Sequence, residues 1–186
     1  DPSAVLSGEP ARATRGVDLV AKADGPQAVL RMGHVGLPRA HPDYFPVLVM
    51  NSILGGLFSS RINLNLREAH AYTYGAFSGF AWRRGAGPFV ASSAVRSDVT
   101  ADAAREMIAE IERIRAEPVT ADELSLATSY LGGVFPIKYE TTDAIARALA
   151  ALVTYALPVD YFDRYRDNVR GVTRDDVQRV AQQHLH

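Results

Sequence analysis

The richest run of chemistry-bearing residues reads Leu54-Gly55-Gly56-Leu57-Phe58-Ser59-Ser60-Arg61, then Leu66-Arg67-Glu68, then Ala71-Tyr72-Thr73-Tyr74-Gly75. Arg67 and Tyr74 bracket a turn between a helix end and a strand. A guanidinium presents several donors in a rigid fork, and a phenol adds one more. Held together, they can grip a peptide carbonyl or carboxylate and stabilise charge that develops on a carbonyl oxygen. An Arg closing a helix and a Tyr packed on a strand account for the same residues, so residue chemistry alone leaves both readings open.

Other chemistries find less support. Ser59, Ser60, Ser78, Ser92 and Ser93 are available as nucleophiles, but no Gly-x-Ser-x-Gly elbow surrounds any of them, and caps and strand positions explain them. A zinc site needs histidines spaced to meet at one ion, and neither His-Glu-x-x-His nor its inverse occurs. His34 and His41 flank Pro38 with Asp43 nearby, yet a strand end and a polar loop explain them equally well. His184 and His186 close the chain, and the reading is that no metal site is built from this chain alone. Gly55-Gly56 and the glycines around Gly85 and Gly87 do not fit a phosphate loop; the first pair reads as a helix stop. Asp122-Glu123 and Asp175-Asp176 fall in first helical turns, where the helix dipole accounts for them.

Twenty Lys plus Arg against 21 Asp plus Glu leave a net charge of -1 over 186 residues, and the two signs are interspersed. No basic stripe is present to recruit nucleic acid. Cys is absent, which excludes disulfides, thiolate metal sites and cysteine nucleophiles. It leaves a cytoplasmic or a periplasmic compartment open for what reads as a soluble domain. No run approaches the roughly 18 uninterrupted apolar residues of a membrane span. The start, Asp1-Pro2-Ser3, reads as that of a processed or excised fragment.

The elements that must position these residues follow from periodicity. Residues 1–13 form a linker or leading arm, and residues 14–186 a single domain. Alternation predicts strands over 16–23 and 27–36, joined at Gly25-Pro26. A buried helix runs from Pro42 to Leu54 and stops at Gly55-Gly56, with a β run as the alternative reading. A short helix spans 58–68, although Ile62, Leu64 and Leu66 are spaced by two. Residues 71–82 and 87–96 make a hairpin. Thr100 caps a helix over 101–116 with Ala104, Met107, Ile108, Ile111 and Ile114 on one face. Thr120-Ala121-Asp122-Glu123 is a capping box for a helix ending near Gly132-Gly133. Thr142 or Asp143 opens the next helix, which Pro158 ends, and helices over 161–170 and 173–185 follow. Four strands and then helices predict an α+β fold, with a mainly antiparallel sheet covered by helices.

Several fragments in order carry a resemblance: His41-Pro42-Asp43-Tyr44, Asn51-Ser52-Ile53-Leu54-Gly55-Gly56, Phe58-Ser59-Ser60-Arg61, Leu66-Arg67-Glu68 and Thr73-Tyr74-Gly75. Gly87-Pro88, Val119-Thr120-Ala121-Asp122-Glu123-Leu124, Tyr130-Leu131-Gly132-Gly133-Val134-Phe135-Pro136 and Glu140-Thr141 continue it. Leu157-Pro158-Val159-Asp160-Tyr161 and Val172-Thr173-Arg174-Asp175-Asp176-Val177 close it. From about residue 26 to its end the chain resembles the peptidase M16 family, the insulinase, pitrilysin and mitochondrial processing peptidase group.

The resemblance implies paired α+β units. One unit carries an inverted zinc motif, His-x-x-Glu-His with a distal Glu, and the facing unit closes a chamber around an unfolded peptide. This sequence lacks the motif and so looks like the C-terminal, zinc-lacking unit, with zinc expected in a partner domain or subunit. The family places an Arg–Tyr pair seven residues apart in that unit to bind substrate, and Arg67 and Tyr74 match it. Ala71 stands where the family usually has Gly, and Tyr72 where it usually has Leu. The mechanism implied for the assembled enzyme is a zinc-activated water, with the partner's Glu as general base. This chain would supply substrate contacts and no complete catalytic set. The alternative is a scaffold unit that keeps the fold without proteolysis, as in core subunits of respiratory complexes; a stand-alone peptide-binding module is a third.

Overall fold

Alternating burial sets the sheet of this protein, whose computed structural model describes residues 16–22 and 24–186. On β3 (Pro88–Arg96), Phe89, Ala91, Ser93 and Val95 are buried while Pro88, Ala94 and Arg96 are exposed, the period of a strand with one covered face. β1 (Gln27–Val35) pairs antiparallel with β3 from Gln27↔Arg96 to Val35↔Pro88. β2 (Thr73–Phe80) pairs antiparallel along its other side, so the order is β1-β3-β2. Helices cover one face. On the other, Val29, Val35, Tyr74 and Phe77 stand in solvent.

The strand expected over 16–23 is not formed. Residues 16–22 have no regular structure, and Val17, Leu19 and Val20 are about nine-tenths exposed. Their alternation is real, but no neighbouring strand or helix among the described residues gives it a face to bury against. The arm proposed for residues 1–13 lies outside the described residues.

The helical reading of the segment after Pro42 holds. α1 (Tyr44–Asn51) continues through wider π turns over Ser52–Gly56, burying Val47, Val49, Met50, Ile53 and Leu54. Gly55 does more than stop this helix. A β-carbon there would stand 2.4 Å from Ser78 Oγ and 2.5 Å from Ser78 N, so glycine lets the helix end lie directly on β2. Leu57 is extended and breaks the helix. α2 (Arg61–Asn63) then runs into π turns over Leu64–Ala69, with Ile62 and Leu66 fully buried and Leu64 nearly half exposed. By length and hydropathy alone the 26 residues Tyr44–Ala69 match a membrane-crossing helix, but 61% of their most apolar window is buried here. The break at Leu57 and the packing on β2 make the run the core of this domain.

Four helix predictions need correction or refinement. α3 (Thr100–Ala116) includes Thr100 rather than being capped by it; the Thr100 hydroxyl donates to Ser97 O at 2.9 Å. The buried face of α3 is Ala103, Met107, Glu110 and Ile114, while Ile108 turns to solvent. α4 (Ala121–Ile137) keeps its Thr120–Glu123 capping box but passes straight through Gly132-Gly133. Neither glycine adopts a positive φ, so neither terminates the helix. Pro136 lacks the N–H that would bond Gly132 O, and Arg166 Nε donates to that carbonyl instead, at 3.2 Å. α5 (Thr142–Thr154) is capped by Thr141, whose hydroxyl accepts from Ala144 N.

α6 (Tyr161–Arg170) and α7 (Arg174–His184) form where predicted, the latter opened by a Thr173–Asp176 capping box. Between α1, α4 and α6 the aromatic rings of Phe45, Phe135, Tyr161 and Tyr165 pack together. Burial pushes the Tyr161 and Tyr165 phenols far above the ordinary tyrosine range.

Candidate functional site

Three polar fasteners hold the α2 segment, and each anchors it to a different element. Arg61 is 8% exposed and grips Glu123 at the start of α4 with two parallel bonds, Nε to Oε1 at 2.6 Å and NH2 to Oε2 at 2.9 Å. Asn63 donates to Phe58 O at 2.6 Å and accepts from Ala76 N of β2 at 3.0 Å. Asn65 donates to Glu106 and Glu110 of α3 at 3.1 and 2.8 Å. The Arg61 guanidinium, helped by the Thr120 backbone N–H, lowers the Glu123 carboxyl from 4.5 to about 2. These side chains fix the base from which Arg67 projects.

Arg67 lies in the last turns of that segment and is about one-third exposed. Its guanidinium carbon sits 4.3 Å from the centre of the Phe58 ring, a cation–π contact. Arg67 NH1 lies 3.0 Å from Glu68 Oε1, but in an angular arrangement that makes no hydrogen bond, so that donor has no hydrogen-bond acceptor. The chain then reverses at Ala71, whose φ of 51° is in the left-handed region. Ala71 N donates to Arg67 O at 3.2 Å and Tyr72 N to Leu66 O at 2.8 Å, closing the helix end over the turn. Tyr72 stacks on His70 at 4.9 Å between ring centres. Ala71, where the resemblance implies Gly, therefore takes a glycine-like conformation.

Tyr74 sits in a β-bulge. Thr73 pairs with Val95 and Ala76 with Ser93, so Tyr74 and Gly75 together face Ala94. Polar side chains pin the irregularity: Ser93 Oγ lies 3.0 Å from two acceptors for its one hydrogen, Thr73 Oγ1 and Gly75 O, and Thr73 Oγ1 donates to Ala94 O at 2.6 Å. The freed Ala76 N–H is the group that Asn63 accepts. Tyr74 is 92% exposed, and its hydroxyl has no protein partner among the described residues. Beside it on the outer face, Phe77, Gly79, Pro88 and Val90 line a shallow apolar groove.

Residues singled out in the sequence divide cleanly. The helix-turn-strand arrangement expected around Arg67 and Tyr74 is present, and both side chains retain donor capacity. Ser78 and Ser93 serve structural bonds, Ser78 with Asn51 at 2.8 Å and Ser93 at the bulge. His34 and His41 do not meet at one site. The His34 ring instead lies 4.8 Å from that of His186, tilted by 50°, while His41 and Asp43 meet His184. Sequence reasoning missed Arg61, Asn63 and Asn65 as positioning residues. Their signal was polarity at buried or half-buried positions inside an otherwise apolar run, where such groups require partners.

A model of the peptidase M16 inactive domain matches residues 2–131. The chain belongs to the peptidase M16 family. Over 155 residues this M16 inactive domain is 26% identical to an uncharacterized zinc protease of Streptomyces coelicolor, covering 83% of this chain and 34% of the relative. It is similar to the crystal structure of a peptidase M16 inactive domain from Pseudomonas fluorescens, with 27% identity, a TM-score of 0.81, and coverage of 86% of this chain and 38% of that one. A Helicobacter pylori protease shares the fold at a TM-score of 0.81 and 18% identity, over 90% of this chain and 40% of the other. The M16 domain described here thus spans little more than a third of these relatives. The 186 residues hold no His-x-x-Glu-His sequence, so their histidines do not fit the family's zinc motif.

Proposed function

We propose that this M16 inactive domain supplies substrate contacts to a zinc-bearing unit, in the same protein or in a partner subunit, that cleaves peptides or unfolded polypeptides. The observation that carries this reading is the pair of donor-bearing side chains flanking one turn, a one-third exposed Arg67 guanidinium that makes no hydrogen bond among the described residues and a bulge-borne Tyr74 side chain in solvent. In an extended peptide the backbone carbonyls are the acceptors such donors fit. Tyr74, aided by Arg67, donates to a carbonyl oxygen near the scissile bond and stabilises charge there. The zinc of the facing unit, when bound, activates the attacking water. The fasteners on Arg61, Asn63 and Asn65 hold the pair in place before substrate arrives, which lowers the ordering penalty of binding.

The test is peptide turnover by the complete protease carrying Arg67→Ala or Tyr74→Phe. Loss of one such donor is expected to reduce kcat about 100-fold, with the circular dichroism spectrum unchanged. Undiminished cleavage by both variants would overturn the assignment. A parent protease without peptidase activity, although its facing unit binds zinc, would instead support the non-proteolytic scaffold reading.

A further inference from the structure

Four of the chain's five histidines gather at one corner, where β1, the loop before α1 and the end of α7 meet. His184 Nε2 lies 2.8 Å from Asp43 Oδ2, and His41 Nδ1 lies 3.9 Å from the same oxygen. One ligand atom from each of His41, Asp43 and His184 falls within 4.8 Å of the others. Beside them the His34 and His186 rings are 4.8 Å apart, and the buried His34 Nε2 has no hydrogen-bond partner. The Asp43–His184 pair joins residues 141 positions apart.

We infer that His41, Asp43 and His184 form a divalent-metal site of the imidazole–carboxylate type, suited to zinc, that clasps the end of α7 to the start of α1. Two imidazoles and one carboxylate are a frequent zinc donor set. Ligands at ordinary zinc distances in a tetrahedron stand about 3.3 Å apart, and the observed 2.8 and 3.9 Å straddle that spacing. His41 Nδ1 now accepts from Asp43 N at 3.0 Å, and a metal bound through that nitrogen would replace this hydrogen bond. With zinc bound, a neutral His184 ring would ligate through Nε2, the atom 2.8 Å from Asp43 Oδ2, and carry its single proton on Nδ1. Arg179 NH2 engages the other carboxylate oxygen, Oδ1, at 2.9 Å. That contact leaves Oδ2 free to ligate and tempers affinity with a nearby positive charge. The fourth position falls to water or to a histidine of the adjoining pair. The three residues belong to no His-x-x-Glu-His sequence, and a metal held by them would fasten the end of α7 to the start of α1.

The test uses the untagged 186-residue chain, stripped with chelator and then titrated with zinc alone. About one zinc per chain is expected, with a rise of several degrees in melting temperature at saturation. His41→Gln and His184→Gln should each weaken binding at least about 10-fold and abolish the thermal shift. Glutamine retains hydrogen-bonding capacity beside Asp43, and circular dichroism verifies that each variant folds. His70→Gln, which alters the fifth histidine, beside Glu106, should bind like the parent. Failure of the parent to bind zinc would overturn the site, as would equal binding by parent and both ligand variants.

Discussion

Arg61 and Arg67 stand on the same short helical segment, yet the fold treats them in opposite ways. Arg61 is buried and spends two guanidinium nitrogens on Glu123 in a bidentate pair. Arg67 is one-third exposed, leans on the Phe58 ring and is ion-paired only with its neighbour Glu68, at 3.0 Å. Side-chain type does not separate a fastener from a ligand-binding group here; the difference is that Arg61 is tied to a distant element, whereas Arg67 touches only Phe58 and Glu68 of its own segment. The rigidity of the Arg61 end is what allows the Arg67 end to be held ready.

This contrast can be broken most forcefully by Arg61→Ala. Removing one member of a largely buried, bidentate pair is expected to destabilise the domain by about 3 kcal/mol, read as a lower urea midpoint. Arg67→Ala should change stability by no more than about 0.5 kcal/mol. Equal losses at the two positions would show that Arg67 is also a fastener. Acid gives a second, smaller effect. Glu123 has its folded-state value lowered from 4.5 to about 2, so its contribution is complete above about 4.5 and is lost as pH falls towards 2. With part of the carboxylate in solvent, about 2 kcal/mol should disappear across that window. Glu123→Gln should flatten this portion of the stability–pH curve, and an unchanged slope would remove Glu123 as its source.

What could be read from the sequence was local, and what could not was long-range. The Thr120–Glu123 capping box joins groups three residues apart and was visible, whereas Asp176, read as answering the helix dipole, also closes a box with Thr173. The hairpin of β2 and β3 was equally plain from alternation around a glycine-bearing turn. The end of α4 was misread because Gly132-Gly133 looks like a stop until Arg166, 34 residues on, supplies the hydrogen bond that Pro136 withholds. The buried face of α3 was shifted because nothing local reveals that Asn65 satisfies Glu110. At the candidate site the spacing of Arg67 and Tyr74 was legible, but the bulge that turns Tyr74 outward depends on Thr73, Ser93 and Asn63 meeting across three segments. The Asp43–His184 contact lies beyond any local pattern, which is why the histidines looked scattered.

The finest test concerns the turn that separates the two donors. Ala71 holds a φ of 51°, a conformation in which an L-residue's β-carbon crowds the backbone. The bonds from Ala71 N to Arg67 O and from Tyr72 N to Leu66 O fasten it there. Ala71→Gly removes the crowding, and it also widens the range of conformations open to the unfolded chain. Relief of the left-handed strain should outweigh that entropy, for a net stabilisation of about 0.5–1 kcal/mol, read as a higher urea midpoint at unchanged slope. A parallel gain would not be expected from glycine at Ala69, within the helical turns, where it would destabilise by roughly 0.5–1 kcal/mol. If Ala71→Gly instead destabilised the domain, relief of strain would not be the dominant effect at this turn. The alanine would then be limiting the unfolded chain, and the geometry between Arg67 and Tyr74 would depend on the anchors to α3, α4 and β2 rather than on the turn residue.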